Sequence, residues 1–397
     1  MRPFGHLIPM EDALEMALDA TKPVDRKETV ALWNAVGRVL AEDIVAPIDV
    51  PAFDKAAMDG FALRSDDALA AVEEGTRLRI VGKAHPGEPF EAEVGPGECV
   101  EVGTGSPVPA GCDAVIEVEA VEWEGQEIRL RKEVAAGRNV SPRGEDIRRG
   151  DKLLLKGTTL KPGHLGAISS LGSQEVRVFE RPRVAIFATG REVRRGGVLG
   201  PGEVYDINSF TLAGLIQEKG GSVQVFDPVP DKYEDIEASV ARARDFDMVV
   251  LSGSTSVGER DFLVDAAGSL GEVLFHGVAA KPGKPLLLAR VDGGLVFGMP
   301  GFPASCLLLA YHVLLPVLRK MARLPLGQRG VRATLGEDMS VKEDKVQLVT
   351  VHLEGGMAYR AFRKSGSITS VSRGEGYLII PAGRRLARGD EVEILLF

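Results

Sequence analysis

The sequence predicts a multi-domain chain of class α/β plus β: a doubly wound α/β domain, a β-rich inserted domain and a small C-terminal β-barrel. Three observations predict it. At 397 residues the chain exceeds a single domain of roughly 150 residues. Residues 183 to 323 alternate near-continuous apolar strands with helical segments, the pattern of a largely parallel sheet covered on both faces. On either side of that stretch, short strands alternate apolar and polar residues between Gly and Pro turns.

Taken in order, Pro9 opens a pattern that puts Ala13, Leu14, Ala17 and Leu18 on one face, so residues 9 to 20 form a short amphipathic helix that docks on a neighbour. Thr29 to Leu40 reads as a second helix, after which Pro47, Pro51 and Gly60 break regularity in "APIDVPAFDKAAMDGFALR". From Thr76 to Leu155 come the strands "RLRIVG", "DAVIEVEAV" and "EIRLRKEV". A helix starts near Pro162, the strand "EVRVFE" follows, and Arg181-Pro182 marks a boundary. The strands "RVAIFAT", "SVQVFD", "DMVVLSG", "EVLFHGV", "PLLLAR" and "GLVFGMPG" then interleave with helices over 209 to 219, 232 to 244 and 261 to 269, and a long helix begins at Pro303. After Leu324-Pro325 the alternation returns in "KVQLVTVHLE", "MAYRAFRK", "GYLIIPAG" and "DEVEILLF". The implied domains are 1–50 with 138–180 as a discontinuous N-terminal domain, 51–137 as the β-rich insertion, 181–325 as the α/β domain and 326–397 as the barrel.

Composition narrows the function. Fractions of 44% hydrophobic and 26% charged residues are those of a globular protein. A net charge of -9 argues against nucleic-acid binding, and an anionic ligand would need a local basic pocket. Cys99, Cys112 and Cys306 form no CxxC pair and leave an odd thiol, the usage of a reducing compartment. Acidic residues interrupt the N-terminus, and no run of 18 apolar residues occurs, so a cytoplasmic chain without a membrane segment is expected.

Open α/β sheets bind ligands at the carboxyl ends of their strands, so the loops there hold the candidate residues. Thr189-Gly190-Arg191-Glu192 follows the first strand and the Ser252 to Asp261 loop follows the third. Lys281-Pro282-Gly283-Lys284-Pro285 follows the apolar strand ending near Ala280, and Met299 to Ser305 follows the last. Ser252, Gly253, Ser254, Thr255, Ser256 and Gly258 present hydroxyls and backbone N–H groups to an oxyanion, without GxGxxG or GKS; ordinary turn chemistry is the alternative. Lys281 and Lys284 flank a turn and could converge on a tetrahedral oxyanion, or simply be solvated. Asp231 and Asp261 stand where carboxylates could hold a hydrated Mg²⁺, or cap helices. Asp59-Gly60 and Thr104-Gly105-Ser106-Pro107 read locally as turns, and His276 and His312 as core histidines.

Seven stretches in order resemble the MoeA family, the molybdopterin molybdenumtransferases, related to the E domains of gephyrin and its plant counterpart. They are "AVGRVLAEDIVAPIDVPAFDKAAMDGFALR", "GECVEVGTGSPVPAGCDAVIEVE", "GRNVSPRGEDIRRGD", "GEVYDINSF", "SGSTSVGERDF", "KPGKP" and "GMPGFPAS". The resemblance implies a homodimer of four-domain subunits with a MogA-like α/β domain that binds adenylated molybdopterin. It implies a Mg²⁺-dependent transferase of molybdenum cofactor biosynthesis that cleaves the adenylate, releases AMP and places molybdate on the dithiolene. A molybdopterin adenylyltransferase is the implied partner.

Residue by residue, the resemblance makes Asp59, Thr104, Glu192, Asp231 and Asp261 catalytic, with Asp231 and Asp261 at the metal. Gly190, Ser252, Gly253, Ser254, Ser256, Gly258, Pro300, Gly301 and Pro303 hold or shape the phosphate site, and Lys281, Lys284 and Ser305 the molybdate site. The chain departs from the family's usual residues at Arg191 (Asp), Ser254 (Gly), Phe302 (Asn) and near Thr350 (Arg). The departures leave two alternative readings: a non-catalytic molybdopterin-binding scaffold, or a divergent paralogue handling tungstate. A stand-alone adenylyltransferase or nucleotide pyrophosphatase would leave the β-rich half and the barrel without a role.

Overall fold

The computed structural model describes residues 7–253, 262–340, 345–361 and 366–397. The chain groups into two compact units. One comprises Met1–Glu28, Gly37–Val39 and Val178–Phe397, the other Thr29–Val36 and Leu40–Arg177.

The smaller unit is β-rich, as expected. Its six-stranded sheet runs in the order Ala114–Glu117, Gly60–Leu63, Glu98–Val102, Leu78–Ala84, Glu127–Leu130, Val121–Glu124. Leu78–Ala84 pairs with Glu98–Val102 in parallel and the other neighbours are antiparallel. Alternation of side chains across the pleat gives each face its own core. Phe61, Leu63, Cys99 and Ile116 pack with Ala68 and Ala71 of the Ser65–Glu74 helix, while Ala62, Val100, Val102 and Val115 fill the other face. The helix expected near Pro162 spans Pro162–Ser170. The one expected over Thr29 to Leu40 does not form: Lys27–Ala31 is a strand and Leu32–Asn34 a single 3-10 turn. Thr29 and Val30 are β-branched and Gly37 interrupts the pattern, so local helix propensity is low.

The larger unit holds the doubly wound sheet, ordered Ser222–Val225, Arg183–Ala188, Met248–Ser252, Gly294–Met299, Leu287–Val291, Gly271–His276. The first four strands are mutually parallel; the Leu287–Val291 strand runs against both its neighbours. That reversal has a local cause. Asp292 (φ 48) and Gly293 (φ 85) form a two-residue turn with both φ positive, which closes a hairpin instead of a crossover. The Met248–Ser252 strand is buried throughout, so each of Val249, Val250 and Leu251 contributes about 1.5–3 kcal/mol relative to exposure. Its even and odd residues face two cores. Val250 packs with Leu212 and Leu215 of the Asn208–Glu218 helix, Val249 and Leu251 with Ile236 and Leu263 of the Tyr233–Val240 and Phe262–Leu270 helices.

The Met10–Ala20 helix buries Met10, Ala13 and Ala17 in the first of these cores. The long helix expected from Pro303 runs to Met321; it is long and apolar enough to cross a membrane, but 78% of its 18-residue apolar stretch is buried inside the protein. Towards the C-terminus the strands Val346–Glu354, Met357–Arg360, Gly330–Leu335, Glu391–Leu396 and Gly376–Ile380 close into a five-stranded barrel, because Gly376–Ile380 also pairs with Val346–Glu354. The apolar strand expected to end near Ala280 stops at His276. Ala280–Lys281 is instead a separate short strand added in parallel to Val346–Glu354 of the barrel.

Candidate functional site

Strand order places the site. The chain leaves Arg183–Ala188 toward one edge of the sheet and returns to Met248–Ser252 on its other side, so the loops after these two strands diverge and leave a crevice. A cleft of about 690 Å³ opens there, within the range of small-molecule sites. Thr189, Glu192, Asp231, Ser252, Gly253, Pro300, Gly301 and Pro303 line it, so four separate strand ends meet.

The floor is held by backbone and hydroxyl hydrogen bonds. The Thr189 N–H donates to Ser252 O at 2.8 Å and the Thr189 hydroxyl to the same oxygen at 3.1 Å. The Gly190 N–H donates to Val229 O at 3.1 Å, and the Gly253 N–H to Met299 O at 3.2 Å. Gly253 has φ +119, and a Cβ there would lie 2.4 Å from Thr189 O, so only glycine permits this approach. Asn208, at the start of its helix, ties three walls together: Nδ2 donates to Ser252 Oγ (2.6 Å), Gly301 O (3.0 Å) and Pro300 O (3.3 Å). Asp206 Oδ1 accepts the Ser209 N–H at 3.0 Å and anchors the same helix start, while Oδ2 lies 3.5 Å from the Arg195 guanidinium.

The carboxylates sit on the rim. Asp231 is exposed, yet local desolvation raises its pKa, Glu192 raises it further and Arg191 opposes the rise. Asp231 does not cap the following helix, whose N-cap is Lys232 and which has no side-chain cap. Ser305 is buried in the first turn of the helix that starts at Pro303. Next to it Cys306, also buried, has its thiol pushed up to about 12 by loss of water, against a hydrogen bond with Ser252.

Neither Lys281 nor Lys284 lines the cleft, where Pro285 is the lining residue of that loop, and Lys281 pairs with Gln347 of the barrel. Ser254, Ser256, Gly258 and Asp261 lie outside the described residues. Asp59 and Thr104 belong to the other unit and meet there. Strand register pairs Gly60 with Val102, which brings the residues just beyond them together. The Thr104 N–H and hydroxyl donate to Asp59 Oδ1 at 2.6 and 2.8 Å, and these bonds hold the Asp59 pKa below its ordinary value. Among the described residues, no three His, Cys, Asp or Glu side chains form a ligand set.

Sequence reasoning missed Asp206 and Asn208 as site residues, together with the cleft-lining Tyr205 and Gly366. "YDINSF" carried one usable signal, an Asp three residues before Ser209 at a helix start.

Three family models match in chain order: MoeA N-terminal region (domain I and II) over residues 8–172, probable molybdopterin binding domain over 185–320, and MoeA C-terminal region (domain IV) over 332–397. A molybdopterin molybdenumtransferase of Haemophilus influenzae is 34% identical over 318 residues, 79% of this chain and 78% of that protein. One of Staphylococcus aureus is 30% identical over 400 residues, 98% of this chain and 95% of its own. A crystal structure of the molybdopterin biosynthesis moeA protein from Pyrococcus horikoshii superimposes with a TM-score of 0.82, at 32% identity over 99% of this chain and 100% of that one. With three matched regions in family order and likeness over nearly its full length, the chain belongs to the MoeA family.

Proposed function

We propose that the protein is a molybdopterin molybdenumtransferase that inserts molybdenum from molybdate into adenylated molybdopterin and releases AMP. One observation carries this reading beyond family membership: the crevice between the Arg183–Ala188 and Met248–Ser252 strands joins a floor of small residues, Thr189, Ser252 and Gly253, to a carboxylate rim at Glu192 and Asp231. Cleaving a phosphoanhydride requires its charge to be offset by fixed donors and a cation. The Thr189, Gly190 and Gly253 N–H groups are spent on the carbonyls of Ser252, Val229 and Met299, so donation to the phosphate is assigned to Ser252, Ser254, Ser256 and Gly258. Lys281, Lys284 and Ser305 are assigned to molybdate, with Pro300, Gly301 and Pro303 shaping the wall.

The carboxylates fit Mg²⁺. Glu192 raises the proton affinity of Asp231, and a divalent cation relieves such repulsion between hard oxygen ligands. Asp231 and Asp261 would hold the ion, which when bound neutralises phosphate charge. Asp59, oriented by Thr104, is carried over as a catalytic carboxylate. The same reading includes a homodimer, the four-part domain division, a cytoplasmic location and an adenylyltransferase that supplies the substrate.

The test is AMP release from adenylated molybdopterin with Mg²⁺ and molybdate, against an Asp261→Ala control. Release no greater than the control rejects the proposal. A second reading, a pterin-binding scaffold, draws on Arg191, whose positive charge already offsets the carboxylates; pterin binding without turnover is its signature.

A further inference from the structure

We infer that Phe302 is a specificity residue on which a planar nitrogen heterocycle of the substrate stacks. The inference rests on the proposed function, because adenylated molybdopterin carries such a ring at each end.

Phe302 lies on the loop between the Gly294–Met299 strand and the helix starting at Pro303, and it lines the cleft. Its backbone is extended, with φ -69 and ψ 122, and its side chain is 63% exposed. Phe187, Phe226 and Phe246 of this unit are spent on one another. Phe187 stacks on Phe226 with centroids 4.6 Å apart, and Phe226 meets Phe246 edge-on at 5.9 Å. Phe302 has no ring partner among the described residues. Its near neighbour is Gly366 of the C-terminal region, also in the cleft; a Cβ there would lie 3.5 Å from Phe302 Cδ1. Backbone thus approaches the ring while most of its surface stays open.

Tyr205 and Ile207, 49% and 36% exposed, bring further apolar surface to the cleft. A cleft for inorganic anions alone has no use for an open aromatic ring, whose burial gains energy against apolar or aromatic surface and not against a hydrated anion. A ligand that joins a heteroaromatic ring to phosphate matches both parts: the ring on Phe302, the phosphate at the strand ends around Ser252.

The test titrates the full-length protein with AMP and, separately, with 6-hydroxymethylpterin, using wild type, F302L and F302W. F302L keeps apolar bulk and removes the π face. From base–aromatic stacking strengths, F302L should weaken one compound about 5- to 20-fold while F302W retains wild-type affinity. The compound that loses affinity identifies the ring as purine or pterin. With the adenylated substrate, F302L should raise KM by a similar factor and leave kcat within about twofold. Equal affinity of F302L and wild type for both compounds overturns the inference, as does wild type binding neither. Turnover that is normal in both proteins sinks the stacking role alone. Ring binding that depends on Phe302 without AMP release sinks the proposed function and leaves the stacking role standing.

Discussion

Replacing Asn208 with alanine should loosen the cleft without emptying a large core volume. The Asn208 amide has two hydrogens for three acceptors, Ser252 Oγ at 2.6 Å, Gly301 O at 3.0 Å and Pro300 O at 3.3 Å. Losing two donated bonds and leaving their acceptors partly buried costs about 2–5 kcal/mol. Against this, Asn208 Oδ1 is itself buried without a hydrogen-bond partner, and its removal returns about 1–2 kcal/mol. The net loss centres on about 2 kcal/mol, which for a unit of this size lowers Tm by about 4–8 °C. Because the lost bonds join the Ser252 strand end to the Pro300–Gly301 loop, substrate KM should rise about 5- to 100-fold. Asn208→Asp sharpens the argument. It keeps the shape and the orphan oxygen, but sets a second acceptor against two carbonyls, so it should melt below Asn208→Ala. Differential scanning calorimetry and steady-state kinetics check both variants. An alanine variant that melts within about 1 °C of wild type, or an aspartate variant more stable than alanine, would refute the reasoning.

Gly253→Ala forces a Cβ to within 2.4 Å of Thr189 O at φ +119, so it should destabilise by about 2–4 kcal/mol and abolish turnover, read by thermal melting and AMP release. Asp231→Asn removes a carboxylate whose pKa is raised in the folded state. Charging it disfavours folding above the ordinary carboxylate range, so the variant should equal or exceed wild-type Tm at pH 7, converge with it in acid, and lose activity. Thr104→Val removes one of two donors to Asp59, whose depressed pKa gives stability that is lost as pH falls through the folded value. The variant's Asp59 should titrate higher by NMR, and its acid-unfolding limb should move to higher pH. Cys99 and Cys306, buried with thiols pushed up to about 12, should resist thiol reagents in the native protein and react on unfolding.

Legibility in the sequence followed the range of the interaction. The Thr189–Glu192 and Ser252–Gly253 loops were visible because a strand-end rule needs only the strands, and the crevice forms where the order reverses. The hairpin at Asp292–Gly293 was equally local, and its Asp-Gly turn was a usable signal that the parallel pattern of its neighbours obscured. The helix expected over Thr29 to Leu40 does not form because the β-branched Thr29–Val30 pair and Gly37 outweigh the apolar spacing. Asn208 was out of reach: its acceptors lie 44 to 93 residues away and two of them are backbone carbonyls. Lys281 pairs with Gln347 of the barrel, a register that no local pattern encodes. Asp59 and Thr104 read locally as turns and are singled out by the resemblance alone; their hydrogen bonds follow from the Gly60 to Val102 register.

The most direct test of the account couples metal to nucleotide. Purified protein is given adenylated molybdopterin, Mg²⁺ and graded molybdate, and AMP released is compared with molybdenum bound to pterin. Both should rise together with molybdate, in equal amounts, and Asp231→Asn should suppress both. Wild-type protein that binds the pterin and releases no AMP at any molybdate concentration would contradict it.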